Sequence, residues 1–299
     1  MGNVIGFVGL GIMGREMVAN IISRGKYETV IFNRTPAKCS SFKKKGAKLA
    51  SSLAELTKKS DVIILMLADS DAVRWALEDT GGILSEMREG KTLIDMGTNS
   101  PEFNISVESM VRERMGEYIE APVLGSKIPA REATLTVLTA GDEKVFERSR
   151  DILSSFGEKI FYMGECGKAS QMKLIVNQIM AGMLALFSEG LVIGERADIL
   201  PDRMFEVIEN SAIQAPIFKV KGRNMLVSHD FSPHFPLKHA QKDLRQALSC
   251  ADKLDVSCPV TASANAQFIR AKDMGFGEED SSAVIKTLLK GDGEIHIDV

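Results

Sequence analysis

The sequence has no excess of positive charge and no cysteine spacing typical of metal or redox sites. Each absence argues against a class of partner or ligand. Its 37 Lys and Arg residues face 40 Asp and Glu residues, which leaves a formal net charge of −3. This balance argues against nucleic acid or an anionic membrane as the partner. The cysteines show neither a CxxC pair nor Cys/His metal spacing, so we expect no metal site and free thiols in a reducing, cytoplasmic compartment: Cys39, Cys166, Cys250 and Cys258.

We also find no long apolar run and no low-complexity segment. We find no apolar run of the ~20 residues that a membrane span needs, and therefore predict no transmembrane helix. The amino terminus opens directly into a strand-like run, so we expect no signal peptide. With 44% hydrophobic and 26% charged residues, the 299-residue chain has the composition of a globular protein of about two domains.

Two kinds of periodicity meet near Gly164. Before it, short apolar runs such as Val4–Val8 and Val62–Leu67 alternate with amphipathic segments. This alternation predicts right-handed βαβ units and a mostly parallel sheet. After it, about Gly167–Arg196 predicts one long helix that is apolar on most faces, and the rest shows helical periodicity. The final stretch, Gly291–Val299, has no readable pattern.

These patterns predict an α/β Rossmann-type amino-terminal domain, a long connecting helix and an all-α carboxy-terminal domain. We place the dinucleotide-binding domain at residues 1–164 and the all-helical domain, for substrate binding and oligomerisation, at residues 165–299. A helix that is apolar on most faces is normally buried between other helices or subunits. We therefore expect a homodimer or homotetramer.

A glycine pattern directly follows the first predicted strand and opens a helix. It has the form G-x-G-x-x-G and reads Gly9-Leu10-Gly11-Ile12-Met13-Gly14. Gly9 permits a tight turn, Gly11 lets a pyrophosphate approach the backbone, and Gly14 lets the helix pack closely on the strand. The helix start favours an anion through its N–H groups and its dipole. We therefore predict that these six residues bind a dinucleotide cofactor.

The end of the second predicted strand lacks the acid that usually contacts the ribose of NAD. The segment reads Phe32-Asn33-Arg34-Thr35. A carboxylate would repel a 2′-phosphate, whereas a guanidinium can pair with it bidentately. Asn33 and Thr35 can add neutral hydrogen bonds. These three residues predict that NADP(H) is preferred and that NAD(H) is the second choice.

Three further motifs extend the pattern in order along the chain. They are Glu120-Ala121-Pro122-Val123-Leu124-Gly125-Ser126, the stretch from Gly164 to Asn177 that ends in Lys-x-x-x-Asn, and Lys242-Asp243-Leu244. With the glycine loop, they resemble the β-hydroxyacid dehydrogenases over about residues 4–290. The branch of NADPH-dependent glyoxylate and succinic semialdehyde reductases is the most similar, in Phe32–Thr35, Gly125–Ala130 and Phe235–His239.

The resemblance implies that Lys173 and Asn177 lie in the catalytic site, and their spacing of four puts them on one helix face. An ammonium whose pKa is lowered by burial can donate a proton to a developing alkoxide and stabilise it. The Asn177 amide can hold the ammonium or the substrate oxygen. We predict Lys173 as the general acid. The plain alternative is a surface lysine on an amphipathic helix.

Residues at later strand ends are further cofactor candidates. Leu67 and Ala68 end one strand, and Thr98 follows the strand Thr92–Ile94, where the nicotinamide of such a fold lies. By resemblance, Thr98 binds the cofactor and Lys242 reaches cofactor or substrate from the helical domain. The plain alternatives are a turn residue and a surface cation.

The resemblance also implies the substrate contacts, which are Pro122, Val123, Leu124, Gly125, Ser126, Phe235, Lys238 and His239. The family usually has a serine at the position of Leu124, and its hydroxyl helps to hold the substrate carboxylate. Leucine cannot donate a hydrogen bond, so the change is either harmless or alters substrate binding. The Gly125 N–H and Ser126 can still donate, and Lys238 or His239 can add charge.

These observations predict NADPH-dependent reduction of a small aldehyde that carries a carboxylate, such as glyoxylate or succinic semialdehyde. One alternative is NAD(P)-dependent oxidation of a 3-hydroxy acid such as 3-hydroxyisobutyrate. Another, of a different class, is a nucleotide-binding scaffold without turnover. Leu124 favours the scaffold, whereas an intact Lys173 and Asn177 pair argues against it.

Overall fold

The chain divides into two compact units, with the boundary between Lys173 and Leu174. The structure, a computed structural model, describes residues 4–289. The segment Gly291–Val299 and the end of the predicted helical domain lie outside the described residues.

The first unit contains a nine-stranded sheet within the described residues. Its strands are β1 Val4–Val8, β2 Glu28–Phe32, β3 Lys48–Leu49, β4 Val62–Leu65, β5 Thr92–Asp95, β6 Glu117–Glu120, β7 Val123–Leu124, β8 Leu135–Gly141 and β9 Gly157–Tyr162. The order β3-β2-β1-β4-β5-β6 is parallel throughout. Beyond it, β8 runs antiparallel to β6 and pairs with both β7 and β9.

Helices cover both faces of this sheet. They are α1 Gly14–Arg24, α2 Ser40–Lys43, α3 Leu53–Lys59, α4 Ser70–Glu78, α5 Pro101–Glu113, α6 Lys127–Glu132 and α7 Glu143–Leu153. All residues of β4 and β5 are buried. Successive side chains of a strand point to opposite faces, and Ile64 and Leu65 accordingly belong to two separate apolar clusters. The predicted α/β domain of βαβ units is therefore confirmed.

The second unit is helical in its described part. Its helices are the continuation of α8 Lys168–Arg196, then α9 Pro201–Glu209, α10 Pro216–Arg223, α11 Leu237–Lys253 and α12 Pro259–Ala271. A 3₁₀ segment, Ser281–Thr287, follows. The core of this unit includes the stacked rings of Phe187 and Phe218, whose centroids are 4.2 Å apart, together with the buried Phe268.

Helix α8 corrects the expectation that no segment suits a membrane span. It is 29 residues long, and an 18-residue window within it has a mean hydropathy of 1.5, so length and composition alone would allow it to cross a membrane. The core helix of a soluble protein passes the same test, and 44% of that window is buried. One such helix is therefore weak evidence for a membrane protein.

Some predicted boundaries also differ from the structure. β4 ends at Leu65 rather than at residue 67, because the chain turns away to start α4 at Ser70. A 3₁₀ turn begins at Pro36, and Thr35 precedes it in an extended conformation without a capping hydrogen bond from its side chain. Cys39, Cys166 and Cys258 are free thiols, as expected.

Candidate active site

The glycine loop between β1 and α1 has the geometry that its sequence predicts. Gly9 has a φ of +100°, and a side chain there would collide with the Met66 carbonyl oxygen. A side chain at Gly14 would collide with the Gly9 carbonyl oxygen. Gly11 has no atom within 4 Å of the place where a Cβ would stand. The protein itself therefore requires two of the glycines, whereas the third leaves open space that an approaching phosphate group fits.

Asn33 braces this loop from the end of β2. Its Oδ1 accepts a hydrogen bond from the Leu10 N–H at 2.9 Å, and its Nδ2 donates to the Thr35 carbonyl oxygen at 3.0 Å. Helix α1 follows Met13, whose side chain makes no capping hydrogen bond. The N–H groups of Arg15 and Glu16 donate to the Gly11 and Met13 carbonyl oxygens, so an anionic ligand would meet the loop before them and the positive end of the α1 dipole. The residues present therefore fit a dinucleotide.

Arg34 and Thr35 are exposed directly after this bracing residue. No carboxylate occurs in the segment from Phe32 to Thr35. An exposed guanidinium at the end of β2 is able to meet the 2′-phosphate of NADP without a competing acid beside it in the chain.

The ends of β4 and β5 lie beside the glycine loop. The Leu67 side chain lies 3.0 Å, and its carbonyl oxygen 3.3 Å, from the places where Cβ atoms of Gly9 and Gly97 would stand. Asp95 holds the turn after β5, since its Oδ1 accepts from the Gly97 N–H at 2.9 Å. Ala68 is exposed and Thr98 is half-buried. The structure thus brings the predicted loop, Leu67 and the turn carrying Thr98 to one edge of the sheet.

The predicted substrate segment forms β7 and the turn after it. The Leu138 N–H donates to the Pro122 carbonyl oxygen at 2.9 Å, and Val123 is buried. Gly125 adopts a φ of +120°, which only glycine tolerates easily. Ser126 precedes α6 without capping it through its side chain.

Leu124 has an apolar environment that explains its side chain. It packs against a small cluster of buried residues that includes Leu138 and Ala169, together with Met172. Two of these neighbours belong to the first turns of α8. A leucine therefore adds apolar contact to the start of the helix that carries Lys173.

Lys173 is 8% exposed, as expected for a lysine that does more than cover a surface. Glu120, which the sequence reasoning did not select, anchors the helix start ahead of it. Its Oε1 accepts from the N–H groups of Gly167, Ala169 and Ser170, at 2.8, 2.9 and 3.2 Å. Glu120 is the first residue of the motif that contains the predicted substrate residues. The sequence therefore displayed this residue but did not predict its contacts with α8.

A second polar cluster lies within the helical unit. The Asn177 Nδ2 donates to Asp243 Oδ2 at 2.6 Å, and the Lys242 Nζ lies 3.1 Å from Asp243 Oδ1. Asn177 is 3% and Asp243 1% exposed. The structure thus joins two predicted residues through Asp243, which the sequence reasoning quoted in the Lys-Asp-Leu motif but did not assign.

The segment around Phe235 lies in the same unit. The N–H groups of His234 and Phe235 donate to Asp280 Oδ2 at 3.1 and 3.0 Å. The rings of Phe235 and His239 are 6.4 Å apart. A small cavity is lined by residues that include Asn177 and Phe235. Asn177 Oδ1 is buried and makes no hydrogen bond to the described residues, so it stays available as an acceptor.

Lys238 is paired rather than poised for a ligand. Its Nζ lies 2.5 Å from Glu278 Oε1, and the Glu278 side chain is 80% exposed. A hydrogen bond from Lys238 holds the pKa of Glu278 below its usual value. A substrate carboxylate at this lysine would compete with Glu278. Of the predicted substrate contacts, Lys238 therefore has the least support from the geometry.

Comparison with known proteins identifies the family. A model of the NAD-binding domain of 6-phosphogluconate dehydrogenase matches residues 4–164. A model described as the NAD-binding region of NADP-dependent 3-hydroxyisobutyrate dehydrogenase matches residues 167–288. The chain belongs to the β-hydroxyacid dehydrogenase family.

Individual relatives support this family assignment. Glyoxylate/succinic semialdehyde reductase 1 of Arabidopsis thaliana is 40% identical over 284 residues, which cover 95% of this chain and 98% of that protein. The crystal structure of 3-hydroxyisobutyrate dehydrogenase from Salmonella typhimurium has a TM-score of 0.88 at 26% identity and covers 96% of this chain and 100% of its own. The cytokine-like nuclear factor N-PAC of Anopheles gambiae is 34% identical over 93% of this chain, which spans 49% of that protein.

The family confirms the predicted enzyme class and cofactor type. The chain is an NAD(P)-dependent oxidoreductase with a Rossmann-type domain, as its glycine loop predicted. Its relatives named as reductases and dehydrogenases act on small aldehydes or hydroxy acids.

Proposed function

We propose that this β-hydroxyacid dehydrogenase reduces a small aldehyde bearing a carboxylate, with NADPH as the preferred cofactor. The observation that carries the proposal is the burial of Lys173, at 8% exposure, on a helix start fixed to the end of β6. The same unit holds the glycine loop and the exposed Arg34. The relative from Arabidopsis thaliana is named as a glyoxylate/succinic semialdehyde reductase, which supports this substrate class.

Bound NADPH would supply the hydride that forms the new C–H bond at the carbonyl carbon. The Lys173 ammonium then stabilises the developing negative charge on the substrate oxygen and donates the proton that completes the hydroxyl. Gly11 and the start of α1 would hold the pyrophosphate, and Arg34 would pair with the 2′-phosphate.

Asn177 would act as an acceptor in this scheme. Because its Nδ2 is committed to Asp243, the orientation of its amide is fixed and Oδ1 is left to accept a hydrogen bond. An ammonium or a substrate hydroxyl supplies such a donor. The Lys242 Nζ lies 3.1 Å from Asp243 Oδ1, so its positive charge offsets the negative charge of the carboxylate that holds Asn177.

A substrate panel tests the proposal. NADPH-dependent reduction of glyoxylate and succinic semialdehyde at neutral pH is measured beside oxidation of 3-hydroxyisobutyrate and related 3-hydroxy acids at alkaline pH. We expect kcat/KM to be highest for an aldehyde acid with NADPH. A higher kcat/KM for a 3-hydroxy acid would favour the oxidative alternative, which the name of the Salmonella neighbour supports.

The scaffold alternative is supported by the similarity to N-PAC, which is named as a nuclear factor rather than as an enzyme. Tight binding of NADPH without turnover of any substrate in the panel would favour it. The retained Lys173 and Asn177, both buried, favour the enzyme.

We also propose that the enzyme is a cytoplasmic homo-oligomer. Ile179, Leu186 and Ile193 stand seven residues apart on α8 and are 56%, 70% and 69% exposed. This spacing places them along one stripe of the helix, and Val260 of α12, also exposed, lines the same groove as Ile179 and Leu186. An exposed apolar stripe of this kind is best covered by a second copy of the chain.

A further inference from the structure

One buried carboxylate ties the end of β6 to the start of α8. Glu120 is fully buried, and its Oε1 accepts the three hydrogen bonds from Gly167, Ala169 and Ser170. Its Oε2 accepts from the Asn104 Nδ2 of α5 at 2.5 Å. All four partners are donors, and an ionised carboxylate is the form that accepts on both oxygens.

This arrangement replaces an ordinary helix cap. The first N–H groups of a helix lack partners within it, and a residue next to the helix usually satisfies them. Here the acceptor stands 47 to 50 residues away in the chain. Ser170 reinforces the turn, since its Oγ donates to the Gly167 carbonyl oxygen at 3.1 Å. The carboxylate therefore fixes the start of α8 against both β6 and α5.

We propose that Glu120 is the positioning residue for Lys173. Lys173 follows Ser170 by three residues, about one helical turn, so the place of the first turn decides where the ammonium stands. The inference rests on the proposed role of Lys173 in proton donation. A reacting group that is misplaced by about 1 Å can lose ~10²-fold in rate, which makes this anchor a direct determinant of kcat.

Cys166 at the same helix start does not compete as an acid. Burial, and then the charges of Glu120 and Glu108, raise the pKa of its thiol above the usual value. The thiol therefore stays protonated at neutral pH. Lys173 therefore remains the proton donor of the proposed reaction.

Two substitutions of Glu120 test the anchor. Glu120→Gln keeps one acceptor oxygen, and a turn of the Asn104 amide can offer its Oδ1, which has no partner among the described residues, to the new amide. We expect this variant to fold. Its kcat, normalised to the concentration of NADPH-binding sites, should be about 5- to 10-fold lower than that of wild type. Glu120→Ala removes the anchor, and we expect a loss of about 10²-fold. KM and the Kd for NADPH should stay within about 2-fold of wild type in both, because uniform binding is untouched.

Asp142→Ala is the matched control. Asp142 caps α7 in the same unit, where its Oδ1 accepts from the N–H groups of Lys144 and Val145 at 2.8 and 3.1 Å. Loss of this cap should lower the melting temperature and leave kcat unchanged. A kcat within about 2-fold of wild type in Glu120→Ala, or an equal kcat loss in Asp142→Ala, overturns the inference. If Glu120→Ala does not fold, the same limits apply to Glu120→Gln.

Hydrogen exchange separates this inference from the proposed function. If the wild type turns over no aldehyde acid, the proposed function fails, and the anchor is judged by amide exchange at Gly167, Ala169 and Ser170. These amides should exchange at least about 10-fold faster in Glu120→Gln than in wild type or in Asp142→Ala. Unchanged exchange would show that Glu120 does not hold the start of α8.

Discussion

We propose that a single exposed residue, Arg34, sets the preference between the two cofactors. A charge-assisted hydrogen bond to a phosphate contributes about 1.5–3 kcal/mol, and an aspartate at the same place repels the 2′-phosphate. We expect Arg34→Asp to lower the ratio of kcat/KM for NADPH over NADH by about 10- to 100-fold. Steady-state kinetics with both cofactors at fixed ionic strength provides the measurement.

Lys44→Asp is the control for this substitution. Lys44 is exposed in the same unit, and the change in net charge is the same. It should leave the cofactor ratio near that of wild type, because Lys44 lies outside the segment Phe32–Thr35 that is predicted to contact the 2′-phosphate. An Arg34→Asp enzyme that still prefers NADPH as strongly as wild type would remove Arg34 from phosphate binding.

Glu120 and Asp243 mark the limit of sequence reasoning at the scale of residues. Both stand inside motifs that the sequence displays, as do the glycine loop and Lys173 in motifs of their own. The partners of the two acids lie 47 and 66 residues away in the chain, at Gly167 and Asn177. Local spacing carries no information about such contacts, because the fold alone brings these groups together.

At the scale of elements, a buried ion pair holds the segment before α11. Lys221 of α10 pairs with Asp280, which also accepts from the N–H groups of Phe235 and Ser282 at 3.0 Å each. Burial raises the pKa of Asp280, but the charge and hydrogen bond of Lys221 outweigh it and hold the pKa below the usual 3.8. The pair therefore stabilises the fold at neutral pH.

The sign of this pKa shift predicts a pH dependence. Since the folded pKa is lowered, the stabilisation is complete above the unfolded value of 3.8 and is lost as pH falls through the folded pKa. We expect Asp280→Asn to lower the free energy of unfolding by about 3 kcal/mol at pH 7. The difference from wild type should shrink below about pH 4, as urea unfolding at several pH values would show.

Glu278→Gln provides the comparison on the same segment. Its pair with Lys238 is exposed, so its removal should change stability little at any pH. A difference between wild type and Asp280→Asn that stays constant down to pH 3 would contradict the role assigned to the ion pair.

The elements themselves were predictable where burial is uniform. β1 and β4 are apolar because both faces of a parallel sheet are covered, and α8 matches the long helix that its helical periodicity predicted. β9 was missed because its residues Gly157–Tyr162 are mostly exposed or half-buried and carry charge. Its strand character comes from pairing with β8, which is a tertiary effect rather than a local propensity.

For the whole molecule, the apolar stripe on α8 makes assembly testable. Burying a charged side chain in an interface costs far more free energy than leaving it in water. Leu186→Glu should therefore shift the protein from a dimer or tetramer toward the 32.6 kDa monomer, as analytical ultracentrifugation would show. Met115→Glu is the control, because Met115 is equally exposed at 69% but lies in the first unit. A wild type that sediments as a monomer would refute the proposed oligomer.

Turnover of a Lys173→Ala variant tests the account of the whole enzyme most directly. Loss of the general acid should cut NADPH-dependent reduction of the preferred aldehyde acid by at least ~10²-fold, while the Kd for NADPH stays nearly unchanged. Lys168→Ala, which removes an exposed lysine from the same helix, should retain turnover close to wild type. Near-normal turnover of Lys173→Ala would contradict the proposed chemistry.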